Sequence, residues 1–467
     1  MNQMTRSLRG NSNAARDIAY HLHPYTNLKK HEAEGPLTIV RGRGVYVIDD
    51  DGKEYIEGMA GLWSAALGFD NERLARVAYE QMRQLPFYHS FNHKSHEPAI
   101  NLAEKLLQMA PVPMSKVFFA NSGSEANDTV VKMVWYFNNA LGRPAKKKII
   151  SRLKGYHGVT VASASLTGLP NNHRSFDLPI PNILHTSCPH YYRFGTDGET
   201  EEQFASRCAE ELEQLILKEG PDTIAAMICE PVMGAGGVIV PPRTYYAKIQ
   251  AVLKKYDALF IADEVICGFG RTGNVWGSQT LGLEPDILTC AKALSASFLP
   301  ISAVMVNERV YQALMAESDK IGVFGHGYTY SGHPVAAAVA LEAQKIYDEI
   351  DLFGHARRMS EPFQRHLKSL GEHPLVGETM GLGLVGAAEL VVDRKTKAAF
   401  DPVGSAGNIV SRIAQEAGLL VRNMGDRIAI CPPLIIQPAE IDDMFGRLRG
   451  ALDGALKELR AAGKFSG

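Results

Sequence analysis

The chain has 467 residues, 45% of them hydrophobic and 21% charged, with a formal net charge of −2. That length and balance belong to a folded chain with a large core, of two or three units by length alone, and not to a disordered one. A charge so close to zero gives no electrostatic reason to expect nucleic acid or an anionic membrane as partner.

Cysteines stand at 188, 208, 229, 267, 290 and 431 with no CxxC pair, so buried free thiols are expected rather than a zinc or redox motif. The start MNQMTRSLRG is basic with no apolar segment after it, and no run is long enough to span a bilayer. A reduced, cytoplasmic location is the resulting expectation.

Residues 1–35 are polar and His-rich, and read as an arm over the surface. Runs at 44–49 and 53–56 flank Asp51-Gly52, a hairpin signal. Apolar residues recur at helical spacing over 71–85, with Asn71 as N-cap, and again over 98–108. From there the pattern alternates. Strands are predicted at 116–120, 148–151, 223–229, 258–262, 287–290 and 301–306, with helices at 124–140, 202–218 and 244–256. Such alternation predicts a mainly parallel sheet with helices on both faces, an α/β fold.

An alanine-rich helix follows at 333–349, then a smaller α+β part with strands at 383–390, 419–422 and 427–431. A last amphipathic helix starts at Pro438 and runs through Ile441, Met444, Phe445, Leu448, Leu452, Leu456 and Leu459. The run Lys146-Lys147-Lys148 reads as a solvated loop entering a strand.

The stretch LFIADEVICGFGRTGNVWGSQTLGLEPDILTCAKAL, residues 259 to 294, carries the chemistry. One apolar run delivers Asp263 and a second delivers Lys292. In open α/β sheets ligands bind beyond the carboxyl ends of the strands, so the acid and the amine should converge on one pocket. Either residue alone is ordinary, a cap or a solvated surface lysine. Together they are the pair that pyridoxal phosphate (PLP) requires: an amine to condense with its aldehyde and an acid against its pyridine nitrogen.

Upstream, Asn121-Ser122-Gly123-Ser124 opens a predicted helix. The unpaired N–H groups of a helix start suit a phosphate, with hydroxyls from Ser122 and Ser124 and close approach at Gly123. A plain N-cap with a turn glycine accounts for the same residues, and the local sequence leaves both readings open. Glu230 ends another buried run, where a carboxylate needs a partner.

A dinucleotide site needs a helix opening after its glycines, but of the two GxGxxG matches the one at 268–273 runs into 274–277 with no helix start and the one at 381–386 into a strand. The pairs His21/His23 and His93/His96 have no HExxH or Cys companion, so no metal is expected and they read as surface or arm histidines.

The segments IADEVICGFGRTG and AKALS, with the serine-glycine motif above, resemble the class III PLP-dependent aminotransferases over nearly the whole chain. The likeness is greatest to the omega-transaminases that pass amino groups from amines or omega-amino acids to pyruvate. It implies PLP fold type I. A large domain would span 65–335, and segments 1–64 and 336–467 would form the small domain.

The resemblance moves the Ser122–Gly123–Ser124 turn toward phosphate. It implies Tyr156 stacked on one face of the ring and Val265 packed on the other, with His157 supporting the site. Glu230 would belong to the polar shell, and Tyr328 and Thr329 would reach the cofactor phosphate of a neighbouring subunit. The enzyme would then be a homodimer with shared sites, or a tetramer. Trp63, Phe91 and Tyr25 are candidates for the substrate pocket beside Tyr156. Arg422 would capture the acceptor's carboxylate and swing away for apolar amines. Remaining alternatives are a 2-oxoglutarate-dependent omega-aminotransferase and a class III decarboxylase, mutase or racemase. A binding protein of this fold without catalysis is disfavoured by Lys292 and Asp263.

Overall fold

The structure, a computed structural model, describes residues 11–465. The basic segment 1–10 lies outside the described residues. A central seven-stranded sheet has the order Lys116–Ala120, Ser302–Val306, Ile287–Cys290, Leu259–Asp263, Ile224–Cys229, Lys148–Arg152, Ile183–Thr186. The last five are mutually parallel, while Ser302–Val306 runs antiparallel to both neighbours.

Alternation along the strands explains the two covered faces. Met227, Phe260, Leu288 and Met305 pack with Phe204, Leu212 and Ile249 of the helices Glu201–Glu219 and Tyr245–Lys255. Ile228, Ile261, Ile287 and Val304 point the other way, onto Val130, Val134 and Phe137 of Gly123–Ala140 and Leu314 of Glu308–Ile321. Each such side chain contributes about 1.5–3 kcal/mol when fully buried. Strands buried on both faces explain why the predicted runs were continuous rather than alternating.

Two smaller sheets flank this core. Ile39–Arg43, Tyr46–Asp49 and Glu54–Glu57 form the expected hairpin with one extra strand, and Leu419–Leu420 joins them in parallel. The N-terminal segment is thus stitched to the C-terminal part by backbone hydrogen bonds. Val376–Leu382, Val385–Leu390, Arg427–Ile430 and Arg422–Met424 form the other sheet. The final helix, Pro438–Ala461, buries each of the seven apolar residues its spacing marked.

Several expectations need correction. The arm contains two short helices, Asn13–Tyr20 and Leu28–Glu34, whose one buried residue is Ala14. The run 146–148 is not solvated: Lys146 is buried and its Nζ donates to Tyr256 O at 2.8 Å, Lys147 Nζ donates to Trp135 O, and Lys148 Nζ binds Glu219. His96 is a buried helix cap whose Nδ1 accepts from Ala99 N, not a surface histidine. A helix, Leu352–Ser369, passes through Pro362, and the strand Val376–Leu382 precedes the predicted one across a turn at Gly383.

Neither glycine motif opens a dinucleotide site. The first leads only to a five-residue helix, Gly277–Leu281, and the second is the turn of the hairpin Val376–Leu390. Among the described residues no helix is long and apolar enough to cross a membrane. The six cysteines are free and buried.

Candidate active site

Leu259–Asp263 and Ile287–Cys290 are neighbouring parallel strands with Asp263 opposite Thr289. Asp263 is therefore the last residue of one strand, and Lys292 follows the other by way of Ala291. Lys292 has φ of 53°, the left-handed region that costs an L-residue about 1–2 kcal/mol. The turn brings it back over the sheet edge. Both side chains line a cavity of about 260 Å³, together with Ser122, Gly123, Ser124, Tyr156, His157, Glu230 and Val265.

Asp263 is held by three groups. Its Oδ2 accepts from Asn127 Nδ2 at 2.8 Å and meets His157 Nδ1 at 2.8 Å, while its Oδ1 accepts from Val265 N at 3.1 Å. A carboxylate only accepts, so His157 carries its proton on Nδ1. His157 thus orients the acid, in keeping with a supporting role. Asn127 was missed in the sequence. It lies one helical turn after Ser124, on the face toward the strand ends, and that spacing was the available signal.

The other end of the cavity is the start of the helix Gly123–Ala140. Ser122 caps it, its Oγ accepting from Glu125 N at 3.2 Å, and Glu125 Oε2 in turn accepts from Asn121 N at 2.7 Å. Ser124 Oγ accepts from Val159 N at 3.1 Å. Both hydroxyl hydrogens remain available to an anion. Gly158, with φ of 135°, passes so close that a Cβ there would stand 2.6 Å from Ser124 Oγ. The N-cap and phosphate readings are therefore compatible: the cap also lines the cavity.

Glu230 is buried and bonds only to backbone: Oε1 accepts from Tyr156 N at 2.9 Å and Oε2 from Gly234 N at 3.0 Å. Burial raises its pKa. It fixes where Tyr156 stands. Burial also pushes the Tyr156 phenol up to about 12, so it stays neutral, and Tyr25 and Arg422 are near enough to bear on it. Burial lowers the Lys292 ammonium, opposed by the charges of Asp263 and Glu230. A lysine so placed reaches its neutral, nucleophilic form more readily than one in water.

The remaining predicted residues are more scattered. Trp63 is buried in the same cluster as Ile266, so it backs the cavity wall, and the exposed Leu62 lines the cavity instead. Tyr25 is largely exposed and donates to Asn172 Oδ1 at 2.6 Å. Arg422 begins the strand Arg422–Met424, half-buried. Tyr328 bonds Thr129 Oγ1 at 3.2 Å and donates to Glu125 O at 3.1 Å. Thr329 is exposed, and neither it nor Tyr328 lines the cavity of its own chain. Phe91 is also exposed and away from the cavity, its ring against Gly327.

The model of the aminotransferase class III family matches residues 28–452. The chain belongs to the class III aminotransferases. It is 52% identical over 430 residues to the mitochondrial gamma-aminobutyrate transaminase 1 of Oryza sativa subsp. indica, covering 91% of this chain and 83% of that one. It is 51% identical over 444 residues to the corresponding protein of Solanum lycopersicum, covering 94% and 86%. Among solved structures, the omega transaminase of Pseudomonas jessenii in complex with PMP superposes with a TM-score of 0.95 at 59% identity, covering 97% of this chain and 100% of that one. A thermostable omega transaminase variant, substituted at a tryptophan, a phenylalanine and an arginine and engineered for asymmetric synthesis of enantiopure bulky amines, gives the same score at 59% identity, covering 96% and 100%.

Class III aminotransferases use PLP, and the residues present fit it. His157 Nε2 and Asn127 Oδ1 are buried with no protein partner in the described structure, as expected of a polar wall built around a polar guest. Lys292 would hold the aldehyde carbon and Asp263 the ring nitrogen. Tyr156 and Val265 would hold the two ring faces. The helix start at Ser122–Ser124 would hold the phosphate. The enzyme is a transaminase of PLP fold type I.

Proposed function

We propose that this enzyme takes the amino group of a primary amine or an omega-amino acid, 4-aminobutyrate included, and delivers it to pyruvate. Arg422 carries this reading. Among the described residues its guanidinium has no carboxylate partner, and it stands near enough to Tyr156 and Lys292 to influence both. A free guanidinium this near Tyr156 and Lys292 is suited to grip a small keto acid's carboxylate in bidentate fashion. The relatives named above act on gamma-aminobutyrate or are omega transaminases. Trp63, Phe91 and Arg422 stand at the same mutual spacings as the three residues substituted in the bulky-amine variant. That agreement supports assigning all three to substrate selection.

When bound, PLP supplies an aldehyde for the amine and a ring that takes up the electron pair released at the substrate carbon. The protein does the rest. The Lys292 amine, lining the cavity and lowered in pKa by burial, would take the proton from the substrate carbon and give it back in the same transfer. Asp263, held by Asn127, His157 and Val265 N, would present a fixed negative charge to the ring nitrogen. Tyr156 and Val265, which line the cavity, would hold the two faces of the ring.

The functional unit is proposed to be a homodimer with shared sites. Phe91 and Thr329 are exposed and miss the cavity of their own chain, with the Phe91 ring against Gly327 two residues before Thr329; a second copy would receive them. Mixing inactive Lys292→Ala and Thr329→Ala chains tests this. Mixed dimers recover one intact site if sites are shared, and recover nothing beyond the parental activities if not. The proposed location is cytoplasmic, on the strength of six buried free thiols. A panel of amines and omega-amino acids against pyruvate and 2-oxoglutarate tests the substrate assignment. Faster turnover with 2-oxoglutarate than with pyruvate would replace it.

A further inference from the structure

Away from the cavity, three imidazoles converge on one carboxylate. Asp17 lies on the helix Asn13–Tyr20. His21 Nδ1 is 3.1 Å from its Oδ1, and His23 Nε2 and His31 Nε2 are 2.7 and 3.0 Å from its Oδ2. The rings of His21 and His23 stand 4.4 Å apart between centroids, and those of His23 and His31 4.1 Å. His31 is on the second arm helix, Leu28–Glu34, and its side chain is only 9% exposed. The sequence hid this grouping because its members come from a helix, a turn and a second helix.

Hydrogen bonding alone explains the cluster poorly. If charged, three adjacent imidazoliums repel one another. If neutral, three rings are gathered around one acceptor in the part of the chain with the least core to gather them. Neutral imidazoles and a carboxylate are the ligand set of a zinc-class ion. The ligand atoms of Asp17, His21 and His23 lie within 4.8 Å of one another, while His31, 3.0 Å from Asp17, stands outside that grouping and would close in as the fourth ligand. Tetrahedral zinc, with bonds of about 2.0–2.1 Å, has ligand-to-ligand edges of about 3.3 Å. The contacts to Asp17 would open by only a few tenths of an ångström.

A second grouping, His190, Glu378 and Glu389, is different: Arg427 Nη1 bonds both glutamates and already supplies the positive charge.

We propose that Asp17, His21, His23 and His31 bind a divalent transition-metal ion of the zinc class, which clasps the two arm helices together. The ion takes no part in amino transfer. Its effect is to fix the loop between His23 and His31, which carries Tyr25 with its hydroxyl on Asn172.

The test is cobalt titration of the chelator-dialysed holoenzyme. The wild type should develop the visible bands of four-coordinate Co²⁺ with one equivalent per chain, bleached by Zn²⁺. The His23→Ala/His31→Ala variant should show none of these bands while keeping its PLP absorbance and transaminase activity, and Asp17→Asn should weaken binding about tenfold or more. Zinc-edge X-ray absorption should show imidazole scattering from three rings. Zinc or cobalt should also protect the Lys29–Lys30 bond from trypsin in the wild type alone. Cobalt spectra identical in wild type and double variant, or a zinc shell of water oxygens, would overturn the proposal, and neither result bears on the PLP site.

Discussion

His157 Nδ1 stands 2.8 Å from Asp263 Oδ2, with the two side chains 0% and 4% exposed. Asn127 bonds the same oxygen from the opposite element, at 2.8 Å. Asp263, the acid proposed to face the ring nitrogen, is thus oriented from two sides. Removing one side leaves it free to rotate and leaves part of a buried carboxylate without a donor.

Asn127→Ala should therefore weaken PLP retention about tenfold or more, since a hydrogen bond to a charged group contributes about 1.5–3 kcal/mol. Absorbance titration of apo-protein with PLP measures it. An unchanged dissociation constant would mean that Asn127 holds only the backbone of residue 157, through its other contact to His157 O at 2.7 Å.

Gly123 gives a steric test. A Cβ there would stand 3.1 Å from both Val265 methyl carbons, tighter than ordinary contact. Its φ is not positive, so the helix itself tolerates alanine. Gly123→Ala should keep the apo-protein's thermal stability and weaken PLP binding by about 1–3 kcal/mol through overpacking. Val265→Ala in the same chain should restore part of the loss. No rescue would contradict the packing of these two residues against the cofactor.

These cases show what the sequence made legible. Two buried apolar runs announced Asp263 and Lys292, because parallel strands need continuous hydrophobicity and leave their polar residues at the ends. The sheet and its two helical layers followed from the same alternation. Asn127, Leu62 and the Asp17 cluster were not legible. Each depends on which face of a helix or turn meets a distant element, and single-chain periodicity does not encode that. Phe91 and Thr329, assigned by family resemblance alone, lie outside the cavity of their own chain, which is the observation behind the proposed dimer.

Lys292 makes stability depend on pH. Burial holds its ammonium below the ordinary 10.5. Between the lowered value and 10.5 the unfolded chain binds more protons here than the folded one, so stability rises with pH across that window. Below the window the cost of the buried ammonium is complete. Apo Lys292→Met, lacking the titrating group, should be more stable than the apo wild type at neutral pH, and the gap should narrow as pH approaches 10.5. Denaturant midpoints of both proteins across this range measure it, and a gap that widens with pH would contradict the account.

Arg422 separates the two half-reactions. Arg422→Ala should raise KM for pyruvate at least about tenfold, the loss of a charge-assisted bidentate contact, and change KM for an aryl amine about twofold or less. Steady-state kinetics with each substrate varied in turn provides the check. Equal losses for both would place Arg422 in the structure of the wall rather than in carboxylate capture.

The central claim is the bond between one lysine and the cofactor, and borohydride reduction tests it most directly. Reduction of the holoenzyme followed by peptide mass spectrometry should place a single pyridoxyl group on Lys292, and the Lys292→Ala enzyme should carry none and turn over no amine. A label on another lysine, or an active Lys292→Ala enzyme, would contradict the account.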